Sequence, residues 1–256
     1  MSGLMGMSRY YDMFFSDPVL AEFYGHSGYA NLGYWEAETP DARSACDNLV
    51  DRLVELLPAA EGALLEVGCG RGATTLRLTK HFGADRITAI NVSDSQLAAA
   101  RKRCPGVSFL KMDAADLRFE EASFDLVIGV EAALHFNTRK AFLREALRVL
   151  KPGGHLLLSD LIVAPGAVFF PLANYVRDLQ DYEQLVAATG FHEVFVEDAH
   201  RQMWKTFRER ITSYLVSKSL GRSWLASSRN LLICNIGGAW ALQGGLLLRA
   251  QKPAAD

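Results

Sequence analysis

Between about residue 62 and residue 161, short apolar runs alternate with stretches of helical periodicity. Such alternation marks βαβ units and a parallel sheet. The run at 63–67 is a first strand, followed by a glycine-rich turn and a helix through Leu76 and Leu78. Residues 86–91 form a second strand. A helix then runs from Asp94 to Arg103, with Ser93 or Asp94 as its cap. Residues 107–111 and 124–130 supply two more strands. Over 138–150 an amphipathic helix places Ala141, Phe142, Ala146, Leu147 and Leu150 on its apolar side. The tetrapeptide Lys151-Pro152-Gly153-Gly154 stops that helix, because proline cannot continue it and glycine permits the reversal. A fifth strand covers 155–161, and residues 245–251 give a last strand.

Outside this block the pattern changes. Residues 1–61 and 165–240 are mainly helical and rich in aromatics, so the chain divides into four parts. These are an N-terminal helical arm (1–61), a core (62–164), a helical lid with the sixth strand (165–240) and a final strand (241–256). From 231 to 248 the chain is mostly apolar and long enough to span a bilayer. Asn235, Gln243 and several glycines interrupt it, and Gly244-Gly245 suggests two buried elements joined by a turn.

Composition adds limits. Half of the 256 residues are apolar, 22% are charged and the net charge is -2. A near-neutral chain lacks the basic face that phosphate backbones require, so nucleic acid is not the expected partner. Cys46, Cys69, Cys104 and Cys234 are widely spaced, show no metal-ligand pattern and are expected to be reduced. The N-terminus has charges and aromatics where a signal peptide has an apolar stretch, which favours a cytoplasmic protein without a membrane span.

The strongest chemical signal is Leu64-Leu65-Glu66-Val67-Gly68-Cys69-Gly70-Arg71-Gly72, a buried strand running through a glycine turn into a helix. Glycine is needed where backbone must approach a ligand closely. The spacing is G-x-G-x-G, not the G-x-G-x-x-G of a dinucleotide site. Glu66 places a carboxylate beside the exposed amides of the turn. After the second strand, Asn91 offers an amide oxygen that can accept from a hydroxyl. After the fourth strand comes Glu131-Ala132-Ala133-Leu134-His135-Phe136. There His135 can act as a general base at near-neutral pH, given an ordinary pKa of about 6.5. Asp160, ending the fifth strand, could orient His135 or bind substrate.

The glycine turn resembles the first motif of class I methyltransferases, (V/L)-(L/D)-(D/E)-x-G-x-G-x-G, and the likeness continues in order over about residues 62–162. It implies a Rossmann-like, seven-stranded, mostly parallel sheet with helices on both faces and a helical lid, with S-adenosylmethionine as cofactor. On this resemblance Glu66, Gly68 and Gly70 border the methionine moiety. Asn91, Val92 and Gln96 stand where ribose is held, although the family usually has an acid at the position of Asn91. Asp113 and Ala114 bracket adenine, and Glu131 joins the cofactor set. The block from Glu131 to Arg139, ending in Arg148-Val149-Leu150-Lys151-Pro152-Gly153-Gly154, is similar to tailoring methyltransferases of natural products, several of which use a histidine here. The stretch Tyr29-Ala30-Asn31-Leu32-Gly33-Tyr34-Trp35 is similar to an aromatic-Asn-x-Gly-Tyr-Trp segment that precedes the cofactor domain in such enzymes, which adds Tyr24, Asn31 and Trp35.

The expected function is therefore O-methylation of a small-molecule hydroxyl on a polyketide or peptide-polyketide natural product. His135 would be the base, and no metal would take part. Methylation at carbon or nitrogen is the first alternative. An NAD(P)-dependent oxidoreductase is weakened by the glycine spacing and by the lack of an evident Tyr-x-x-x-Lys pair. A non-catalytic binding protein of the same fold is the third. Around the acceptor, aromatics such as Phe170 and Trp204 are expected to line a substrate-facing lid.

Overall fold

The computed structural model describes residues 11–12, 14–165, 171–219 and 242–255. Seven strands form one sheet: β1 (Leu64–Val67), β2 (Ile87–Asn91), β3 (Ser108–Lys111), β4 (Phe124–Val130), β5 (Leu150–Val163), β6 (His192–Asp198) and β7 (Leu242–Gln251). Their spatial order is β3-β2-β1-β4-β5-β7-β6. The first five pair in parallel, and β7 runs antiparallel between β5 and β6. The Rossmann-like expectation is met.

Alternate residues of the central strands feed opposite faces. Leu65, Val67, Val127 and Leu158 pack toward one core with Phe142 and Ala146. Leu64, Leu126, Ile128 and Leu157 pack toward another with Leu49, Leu53 and Leu78. Helices α2 (Ala42–Val54) and α3 (Ala73–Leu78) cover the second face, while α5 (Arg139–Val149) and α6 (Leu179–Ala187) cover the first. Cover on both faces explains why the central strands β1 and β4 are near-continuous apolar runs, unlike the edge strands β3 and β6, which carry exposed polar residues.

Local signals fixed several boundaries. Helix α4 (Asp94–Arg103) begins behind Ser93, whose hydroxyl accepts from the Gln96 amide at 3.4 Å. Thr138 caps α5 in the same way through Ala141, and the helix ends at Val149, before Lys151-Pro152. The buried stripe of α5 is Arg139, Phe142, Leu143, Ala146 and Val149; of the expected apolar side Phe142, Ala146 and Leu150 are buried, while Ala141 and Leu147 are half-buried. Before α2, the arm contributes the short helix α1 (Pro18–Phe23), and a π-helical turn at Arg201–Lys205 leads into α7 (Thr206–Ser219).

The expected break at Gly244-Gly245 is absent. Both glycines lie inside β7, opposite Ile162 and Leu161. A Cβ on Gly244 would come within 3.2 Å of Ile162, and one on Gly245 within 3.2 Å of the Met203 sulfur. Close packing, not a turn, is what glycine provides here. Residues 231–241 of the apolar segment, and Phe170, lie outside the described residues. Among the described residues no helix is long and apolar enough to cross a membrane.

Candidate functional site

Strand order reverses at β1, with β2 on one side and β4 on the other. Ligands of open parallel sheets settle at such a point, beyond the carboxyl ends of the strands. A cleft of about 1000 Å³, counted to its solvent mouth, opens there.

Its floor is the turn after β1. Gly68, Gly70 and Gly72 all have left-handed φ values, +72°, +52° and +79°, where a Cβ is penalised. Their surroundings differ. A Cβ at Gly68 would lie 2.6 Å from the Ala132 Cβ, and one at Gly72 2.9 Å from the Ala100 Cα. At Gly70 it would meet no atom within 4 Å. The outer glycines thus permit packing against the β4 loop and α4, whereas the middle one leaves open space at the cleft floor.

At the end of β2, Asn91 is committed to local structure. Its Oδ1 accepts from the backbone of Val92 at 2.7 Å and Ser93 at 3.3 Å, and its Nδ2 donates to Gln96 Oε1 at 2.9 Å. The amide oxygen expected to receive a ligand hydroxyl is therefore occupied. Asn91, Val92 and Gln96 nevertheless border the cleft, as do Asp113 and Ala114 after β3. Asp113 Oδ1 accepts from the Ala115 amide at 2.9 Å, which shapes that turn.

Glu131 follows β4 with φ +47°, an uncommon conformation for a non-glycine residue. Both carboxylate oxygens accept from the Leu32 amide, at 3.0 and 3.1 Å, which ties the cleft to the arm. Burial raises its pKa to about 8, opposed by the Leu32 bond and assisted by the negative charge of Asp160. No salt bridge to Glu131 occurs among the described residues. The carboxylate thus borders a ligand-sized space without a protein cation beside it.

His135 sits at the end of a short 3₁₀ turn, Ala133–His135, and borders the same cleft. Its Nε2 is 2.9 Å from the Tyr11 hydroxyl. Burial lowers its pKa from 6.5 to about 4, with Asp160 raising and Arg139 lowering it further. The imidazole is therefore neutral over a wider range than its ordinary pKa implies.

Four expected site residues are placed elsewhere. Asp160 is fully buried, and its Oδ2 accepts from Arg139 Nε at 2.8 Å and the Tyr182 hydroxyl at 2.7 Å. Its influence on His135 is through-space. Glu66 lies beneath the turn and accepts from the Thr75 hydroxyl at 2.6 Å, with burial raising its pKa to about 7. Tyr24 donates to the Asn31 carbonyl at 2.9 Å and Trp35 to the Leu32 carbonyl at 2.8 Å. Both brace the arm segment whose Asn31 does border the cleft. Trp204 belongs to the same buried cluster as Tyr24, Trp35 and Phe207 and does not itself border the cleft.

Residues 65–158 match a family model described as a methyltransferase domain. The 27-O-demethylrifamycin SV methyltransferase of Amycolatopsis mediterranei (strain S699) is 34% identical over 199 residues, 70% of this chain and 73% of that one. O-methyltransferase cnsE of Penicillium expansum is 32% identical over 67% of this chain and 68% of its own. The chain belongs to the S-adenosylmethionine-dependent methyltransferases. Among solved structures, the cyclase SpnF matches with a TM-score of 0.75 at 24% identity, covering 97% of both chains. A geranyl diphosphate methyltransferase matches at 0.74 and 15%, covering 98% of this chain and 99% of that one. At such identities the likeness is one of fold.

For this methyltransferase, the motifs pointed to the floor of the cleft but not to its roof. Tyr11, Phe15 and Tyr29 come from the arm, where aromatic density and the stretch around Asn31 were the signals. Phe136 and Met112 border the cleft as neighbours of expected residues. Arg139, Tyr182 and Asn174 hold the buried polar network behind His135; Arg139 closes the block that began at Glu131, whereas no sequence pattern marked Tyr182 or Asn174.

Proposed function

We propose that this methyltransferase binds S-adenosylmethionine in the cleft between the Gly68–Gly72 turn and the ends of β2, β3 and β4. It would then methylate a hydroxyl of a small natural-product acceptor, with His135 receiving the proton. The observation carrying this reading is that His135 Nε2 stands 2.9 Å from a hydroxyl, that of Tyr11, inside the cleft floored by the glycine turn. Two relatives named as methyltransferases of oxygen on natural products, those for 27-O-demethylrifamycin SV and erythromycin, support the choice of acceptor class.

The residues fit the cofactor. Glu131 presents a buried carboxyl group that pairs with no cation among the described residues, which suits a ligand bearing a sulfonium and an ammonium. Gly70 leaves room for close approach. Gln96, with its Oε1 held by Asn91, keeps its amide donors for a ribose oxygen, and Asp113 and Ala114 flank the adenine end. When bound, S-adenosylmethionine would supply an activated methyl group for the acceptor oxygen, its sulfur being the leaving group that retains the electron pair. The chain's part is alignment, exclusion of water and a proton sink. An aliphatic hydroxyl is a poor nucleophile until its proton leaves, which gives neutral His135 its use.

The arm (1–61) would roof a cofactor core (62–164), with residues 165–240 and the final strand completing the acceptor side. Incubation with labelled S-adenosylmethionine and a panel of hydroxylated macrolides, with mass spectrometry of products, tests the reading. Methyl transfer to oxygen that falls at least a hundredfold in His135→Ala supports it. Transfer to carbon or nitrogen alone, or full turnover in the variant, overturns it.

A further inference from the structure

We propose that Asn174 is the positioning residue that seats His135, a role resting on the reading of His135 as base. Asn174 ends a 3₁₀ turn, Leu172–Asn174, in the segment after β5, and it is 2% exposed. Its Nδ2 donates to the carbonyl of Leu134 at 3.0 Å and to that of Phe136 at 2.7 Å. Its Oδ1 accepts from the Arg139 amide at 2.7 Å. The two carbonyls are those on either side of His135, and the amide is the first of α5. Both amide hydrogens and the oxygen are thus used, and only one orientation of the amide satisfies all three partners.

The geometry gives this contact a specific consequence. The turn carrying His135 is a single 3₁₀ unit, closed by His135 N–H to Ala132 at 3.0 Å and Phe136 N–H to Ala133 at 3.2 Å. So short a unit has little rigidity of its own. Asn174 clamps it at the peptide that enters His135 and at the peptide that leaves Phe136, holding the turn on both sides of the imidazole. The clamp is itself anchored, since the Asn174 carbonyl accepts from Arg139 Nη1 and the same guanidinium donates to the Leu161 carbonyl and to Asp160. A base must be held within a fraction of an ångström of its target, so loosening these peptides should slow proton transfer and spare cofactor binding. Because Asn174 belongs to the segment after β5, the same amide joins the acceptor side of the enzyme to the base.

The test is a double-mutant cycle on the full chain. Asn174→Ala, and the milder Asn174→Ser in case the first fails to fold, are each made alone and with His135→Ala. Turnover, cofactor Kd and the pH dependence of kcat are measured for all. The expected result is at least a tenfold loss of kcat, cofactor Kd within twofold of wild type and a displaced acid limb. In the His135→Ala background no further loss should occur. An equal fold-loss in both backgrounds, or undiminished kcat in the folded serine variant, overturns the clamp while leaving His135 as base. Full turnover in His135→Ala alone overturns both readings, so the two failures are distinguishable.

Discussion

The Tyr11 hydroxyl stands 2.9 Å from Nε2 of His135, the atom a substrate hydroxyl would need. The two residues are 124 positions apart, and their contact closes the arm over the chemical end of the cleft. An acceptor hydroxyl reaching Nε2 must displace the phenol. Tyr11→Phe removes a hydrogen bond of about 0.5–1.5 kcal/mol, so the acceptor KM should fall roughly two- to tenfold with little change in kcat. Steady-state kinetics with varied acceptor decide this. A raised KM would mean that the phenol helps to hold the acceptor instead of competing with it.

Burial moves the His135 titration from 6.5 to about 4, which changes the expected pH profile. Activity should stay flat on the acid side from neutrality down to about pH 5, then fall as the imidazole protonates. The stability effect has the same direction. Between pH 6.5 and 4 the unfolded chain binds a proton that the folded protein refuses, so His135 lowers stability as pH drops through that window. Rate profiles under chemistry-limited conditions should show a limb near 4. A limb at 6.5 would place the histidine in a wetter environment during turnover.

Glu131 titrates in the opposite sense, with its pKa raised from 4.5 to about 8. From pH 4.5 to 8 the folded protein holds a proton that the unfolded chain has released, so this group lowers stability as pH rises through that range. A cationic ligand beside it favours the ionised form. Cofactor binding at pH 7 should therefore release a proton, and affinity should rise with pH up to about 8. Calorimetry in buffers of different ionisation enthalpy measures that release. Glu131→Gln should abolish it and flatten the pH dependence of affinity.

Gly68 and Gly70 of the turn should respond differently to an added side chain. A Cβ on Gly68 meets Ala132, so Gly68→Ala should lower thermal stability by straining the β4 loop. A Cβ on Gly70 meets nothing in the protein, so Gly70→Val should fold with only the left-handed backbone penalty of about 1–2 kcal/mol. It should nevertheless lose cofactor affinity, because its side chain enters the space at the cleft floor. Thermal melts and S-adenosylmethionine titrations of both variants separate packing from ligand contact. Normal affinity in Gly70→Val would remove the cofactor from this turn.

Much of the sheet was legible because its information is local. The central strands β1 and β4 are apolar runs bounded by their own turn residues, and Ser93 and Thr138 cap their helices within three residues. The glycine turn was equally plain, since backbone angles forbidden to other residues leave glycine as the visible choice. Tertiary structure decided what those residues touch. Asn91, identified as a ligand contact, uses its oxygen on neighbouring amides. Asp160 serves Arg139 and Tyr182, partners 21 and 22 residues away. Gly244 and Gly245 read as a break because a sequence does not show that Ile162 and Met203 press against them. Tyr11 over His135 and Asn174 beneath it were silent for the same reason. Hydrogen bonds between distant segments leave no period or spacing along the chain, and only folding brings their donors and acceptors within 3 Å.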